Sequence, residues 1–161
     1  MVTKTQILDC LAHGRRAQLE FIDGLDAAQR AEKGCYEKWC AKDSIAHMAY
    51  WQERLAQRIQ ALVSKNEPPQ SIQYEEANAA CFARFCEQSF EQVHAYWSRS
   101  LEELHSAVRA ADEQLLVNPP ADRPERPLWM DVVGTGYTHP QMHVSEYYTT
   151  LGWPEKASRL W

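Results

Sequence analysis

The chain has 161 residues, 45% hydrophobic and 24% charged, which fits one ordinary folded domain over residues 1–161 and excludes a disordered or fibrous chain. Seventeen Lys and Arg stand against 22 Asp and Glu, a formal charge of −5; such a surface repels phosphate backbones, and with Arg15-Arg16 the nearest thing to a basic run, no nucleic-acid partner is expected. No stretch reaches the roughly 20 apolar residues of a membrane span, the N-terminus lacks a signal-peptide core, and Asp9 before Cys10 argues against lipidation. None of the five Cys forms a Cys-x-x-Cys pair, so reduced thiols in a bacterial-type cytoplasm are expected.

The first predicted element opens at Thr3-x-x-Gln6, a capping box that satisfies free amides at a helix start. Ile7, Leu8, Leu11, Leu19 and Ile22 return with a helical period up to about Gly24. Asp26 to Gly34 is polar, with room for a short helical turn. A second helix is expected from Ala41 to Val63, its inward stripe Ile45, Met48, Ala49, Leu55, Ile59 and Leu62. Its cap is unusual: Cys40 stands where a hydroxyl is preferred, and Asp43 takes the reciprocal position. Pro68-Pro69 then forces a loop.

The third helical stretch, Tyr74 to Ala111, is too long for one helix in a domain of this size. Ser89-Phe90-Glu91-Gln92 is a capping box inside it, so a bend or restart is expected near Ser89. Asn118 to Pro127 holds four Pro and reads as a linker. The last helix lies between Leu128 and Leu151, closed by Gly152 as a left-handed residue. Pro140 clashes with a regular helix at the carbonyl of Gly136, so this helix is either kinked or starts near Thr138. Period-2 alternation is not sustained anywhere, and the fold class expected is all-α, an antiparallel four-helix bundle.

His139-x-x-x-His143 sets two imidazoles one turn apart, about 6 Å along one helix face, where both reach a common ion. Two residues of one helix hold a metal loosely, so a third ligand from another helix is needed. His13, His94 and His105 have no matching motif and read as solvated or hydrogen-bonded side chains. Trp39, Trp51, Trp97 and Trp129 read as core or cleft wall, and Tyr50, Tyr137, Tyr147 and Tyr148 as possible hydroxyls for a cleft. Cys40 is the one thiol at a helix start, where a dipole would lower its pKa. No phosphate loop, dinucleotide fingerprint or nucleophile motif is present, and catalytic residues are unassigned.

Trp39-x-x-Lys42-Asp43-x-x-Ala46-His47-x-x-x-Trp51 resembles the start of helix 2 in the DinB/YfiT-like four-helix-bundle superfamily, and Tyr137-x-His139-x-x-x-His143 matches its second half. Asn78 through Leu115 is similar to the ClbS/DfsB branch. The resemblance covers nearly the whole chain and implies a DinB-like bundle in which three His hold a divalent metal. By position the implied ligands are His47, His139 and His143, with Pro140 expected to tilt the His139 ring. Imidazole suits Zn, Ni, Cu and Fe, and Zn or Ni is the expected ion, with Fe as the other candidate. Asp43 and Glu146 are candidate partners for the outer ring nitrogens.

The resemblance implies a metalloenzyme of hydrolase or thiol-transferase type, activating water or a thiol against a small electrophilic molecule. The alternatives are a metal-free protein of ClbS/DfsB type that binds a reactive small molecule in an aromatic cleft, and a bundle acting only through protein contacts. A small-molecule substrate and a homodimer are the partners expected.

Overall fold

The computed structural model describes residues 2–160. Helix α1 covers Lys4–Asp23, with Thr3 and Gln6 capping each other's backbone as the sequence predicts. A second capping box, Asp26 with Gln29, opens the short α2, Ala27–Ala31. Helix α3 runs Ala41–Val63, the predicted bounds. At its start the Asp43 carboxylate accepts both the Cys40 N–H, at 3.0 Å, and the Cys40 thiol, at 3.1 Å.

The long third stretch does restart at Ser89. Helix α4 is Tyr74–Phe85 and α5 is Phe90–Ala110, where the Ser89 hydroxyl accepts the Gln92 N–H and the Gln92 side chain accepts the Ser89 N–H. A five-residue helix, α6 (Glu113–Val117), precedes the proline-rich linker; it is capped by Asp112 and has no counterpart in the sequence reading.

The last helix resolves the two readings of Pro140 in favour of a distortion within one continuous helix. Helix α7, Leu128–Val133, passes into a π-helical turn, Gly134–Thr138, and on into α8, His139–Thr150. Val133, Gly134, Thr138 and His139 all keep right-handed helical dihedrals. The His139 N–H reaches back five residues to the Gly134 carbonyl. Widening by one residue opens the turn just where proline would otherwise meet a carbonyl four residues back. Gly152, at φ 75°, ends α8 in the left-handed region as expected, and a last turn, α9, covers Pro154–Ser158.

Helices α1, α3, α5 and the α7–α8 rod form the expected all-α, antiparallel four-helix bundle, and no strand occurs among the described residues. One apolar cluster gathers Phe21, Ile45, Met48, Trp97, Leu101 and Val144; the other gathers Ile7, Leu11, Ile59, Leu104, Leu116 and Leu128. Each such side chain, fully withdrawn from water, contributes roughly 1.5–3 kcal/mol. The approach of α1 to the π turn is closer than side chains permit: a Cβ on Gly14 would lie 2.0 Å from the Gly136 carbonyl oxygen. Gly14 therefore lets backbone meet backbone, Gly136 leaves room for the Leu11 side chain, and together they fix where the π turn, and His139 after it, sits relative to the bundle. Among the described residues no helix is long and apolar enough to cross a membrane.

Candidate metal centre

Helix α3 carries His47 with its side chain buried, and α8 carries His139 at its first residue and His143 one turn on. The three rings converge. The His139 Nε2 lies 3.0 Å from His47 Nε2 and 2.9 Å from His143 Nε2, and the three candidate donor atoms all lie within 4.8 Å of one another. The tilt expected from Pro140 does not take His139 out of the cluster, because the π turn absorbs the proline before the ring's own position.

Three nitrogens bound to one tetrahedral zinc at 2.0–2.1 Å would stand about 3.3 Å apart. The observed 2.9 and 3.0 Å need an opening of only a few tenths of an ångström. The donor chemistry fits as well. Burial holds His47 down to about 2, helped by His139 and His143, and holds His139 down to about 4, helped by His143. His143 is lowered by burial against the opposing pull of Glu146. All three imidazoles are thus neutral near pH 7, the form that ligates a metal.

Of the two proposed outer partners, Glu146 is in place, its carboxylate 3.3 Å from His143 Nδ1. Asp43 is not: its Oδ2 serves Cys40, and His47 Nδ1 is buried without a partner. Aromatic rings wall the cluster. Trp39 lies 4.7 Å from His47 and 6.4 Å from His143 between ring centroids, and Trp51 lies 6.3 Å from His47. Tyr74, at the start of α4, stacks on Trp51 at 5.5 Å and stands 6.4 Å from His47. The sequence reading did not single out Tyr74, and no local signal marks it, since only the return of the chain after Pro68-Pro69 brings it there.

The other three His lie elsewhere, as expected. His13 bonds the Asp9 carbonyl, His94 stacks between Phe90 and Trp97, and His105 is buried in α5. Trp97 is core and donates its indole N–H to Gln18. Of the four tyrosines expected near a cleft, Tyr147 has a buried hydroxyl without a partner, and burial first, then nearby acids, push it up to about 12. Cys40 is no activated thiol: burial and Asp43 raise its pKa against any effect of the helix start. All five cysteines are free.

A cavity of about 470 Å³ has Trp51 in its lining, together with residues of α3, the 67–72 loop, the proline-rich linker and the π turn. Arg58 lies within its wall, bidentate to Asp122 and 2.9 Å from Asp131. Arg123 and Arg126 approach the same Asp131 carboxylate. The fold thus gathers a group of arginines that the linear sequence, with no basic run, does not reveal.

The family model of the DinB superfamily matches residues 11–146. Among solved structures, an uncharacterised protein from Escherichia coli UTI89 superposes with a TM-score of 0.73 at 10% identity, over 94% of this chain and 96% of that one. At that identity the likeness is one of fold. Among curated proteins, none matches.

Proposed function

The chain belongs to the DinB superfamily, and on that premise we propose that it is a metalloprotein holding a divalent transition ion on His47, His139 and His143. The observation that carries this reading is the convergence of three neutral imidazole nitrogens from two helices at near-ligand spacing. Three protein ligands leave a coordination position open, the arrangement of catalytic rather than structural sites. A bound ion of this kind supplies Lewis acidity, lowering the pKa of a coordinated water or thiol towards neutrality. Zn or Ni suits an all-imidazole set best under this reading, with Fe as the other candidate.

The chain's own residues supply the rest. His47 is held by its burial, and the Glu146 carboxylate, 3.3 Å from His143 Nδ1, favours the ring orientation that turns Nε2 to the cluster. Trp39, Trp51 and Tyr74 limit water at the imidazoles and offer flat apolar surfaces to a small electrophilic substrate. We assign the reaction to attack by water or a small thiol on such a substrate, in a reducing compartment that keeps the five cysteines free.

The test is thermal melting of chelator-treated, untagged protein with and without Zn or Ni. At ion concentrations 100-fold above Kd, a site present only in the folded chain adds about 2.7 kcal/mol, an upward shift absent from His139→Ala. Equal melting curves with and without ion would overturn the reading. A small-molecule affinity lost in Trp39→Ala but kept in His139→Ala would instead favour a metal-free binder of ClbS/DfsB type.

A further inference from the structure

We propose that the cavity beside the His cluster is an oxyanion-binding subsite, in which Arg54, Arg123 and Arg126 take the carboxylate or phosphate of an organic small molecule whose apolar body lies on Trp51. Four guanidiniums and three carboxylates line this cavity, in a chain whose total charge is −5. The positive excess is therefore local.

The arginines divide by what they already bond. Arg58 is buried, and all three of its nitrogens meet Asp122 or Asp131. It is a structural strut joining α3 to the linker and α7. Arg123 and Arg126 each engage Asp131 through one nitrogen, with side chains 38% and 46% exposed. Arg54 gives one N–H to the Gln70 carbonyl. A guanidinium carries five N–H donors in a planar fork, so most of the donors on these three remain available. With Arg58 paired to Asp122, the single charge of Asp131, only 7% exposed, is left against the two of Arg123 and Arg126. A purely structural network would balance its charges, and this one leaves cations facing a space large enough for a small ligand.

Part of the lining is apolar. Trp51, Leu55, Ile72 and the Pro68-Pro69 pair contribute it, so a bare inorganic ion would leave that surface unused and an organic anion would cover it. Trp51 is shared: it bounds this cavity and stands 6.3 Å from His47. Thr135 of the π turn also lines the cavity, four residues before His139. Anion recognition stands on the arginine geometry alone; the assignment of this anion as part of the substrate treated at the imidazoles rests on the proposed function above.

The experiment is isothermal titration of chelator-treated protein with benzoate, phenyl phosphate and neutral benzamide at constant ionic strength, repeated after loading with zinc. Saturable binding of one or both anions, at least tenfold tighter than benzamide, is expected, and which anion binds distinguishes a carboxylate from a phosphate ligand. Arg126→Gln and Arg54→Gln, which alter partly exposed side chains and leave Arg58 in place, are each expected to weaken it at least tenfold, Arg54→Gln with unchanged melting temperature because Arg54 bonds only the Gln70 carbonyl. Benzamide binding as tightly as the anions, or anion binding undiminished in both variants, would overturn the subsite. Anion binding that persists while zinc fails to bind would overturn the metal reading and leave the subsite standing.

Discussion

Gly14→Ala tests whether the position of the π turn is set by backbone contact with α1. The new Cβ would lie 2.0 Å from the Gly136 oxygen and 3.0 Å from the Gly136 carbonyl carbon and the Tyr137 Cα. An ordinary carbon–oxygen approach is about 3.3 Å, so α1 and the π turn must separate by about 1.3 Å. Overpacking costs about 1–3 kcal/mol, and a clash against backbone rather than a flexible side chain takes the upper part of that range, about 2–3 kcal/mol, while alanine's helix preference over glycine returns about 1 kcal/mol. A net loss of about 1–2 kcal/mol lowers Tm by roughly 2–8 °C in a chain of this length. Gly134→Ala is the control, because its Cβ meets nothing within 4 Å and its backbone is already helical; it should gain up to about 1 kcal/mol. The assay is paired thermal and urea denaturation, followed by zinc titration. Displacing the turn moves His139, so Gly14→Ala should also weaken zinc about tenfold, the scale of a disturbed ligand orientation. A Gly14→Ala protein as stable as the parent would refute the reasoning.

Three further perturbations address other parts of the account. Ser89→Ala removes the hydroxyl that accepts the Gln92 N–H at the restart of α5 and should cost about 1 kcal/mol by urea denaturation. Arg58→Met breaks the buried strut to Asp122 and Asp131; about 3 kcal/mol should be lost by the same assay, the low end for a broken buried pair because Arg123 and Arg126 remain on Asp131. His105 is buried, and burial, with Arg109 and Arg15, lowers its folded pKa. Its unfolded form therefore takes up a proton first as pH falls below about 6.5, so its contribution is present above that pH and lost below it. His105→Gln should lose less stability than the parent between pH 7.5 and pH 5, measured as denaturation midpoints.

Local rules made much of this molecule legible. The Thr3–Gln6 and Ser89–Gln92 boxes are read from residues three apart, and the structure keeps both. Helix α3 ends where its apolar stripe ends. The same spacing logic finds His139 and His143, since one helical turn separates them. It does not find His47, 92 residues before His139, because no local pattern states which face of α3 meets which face of α8; only resemblance to a family supplied that link. Pro140 allows two outcomes, and the one observed is a π turn packed against α1 at Gly14, a tertiary contact that no local pattern states. The arginine cavity was invisible for the same reason. Arg58 lies 64 residues from Asp122 and 73 from Asp131, and charges so separated form a site only after the linker folds back over α3.

The central claim is that three imidazoles form one metal site. Metal analysis of untagged protein, equilibrated with equimolar zinc and desalted, tests it most directly, alongside His47→Ala. One zinc per chain in the parent and less than a tenth of that in the variant is the result predicted. No retained zinc in the parent, or equal retention in His47→Ala, would contradict it.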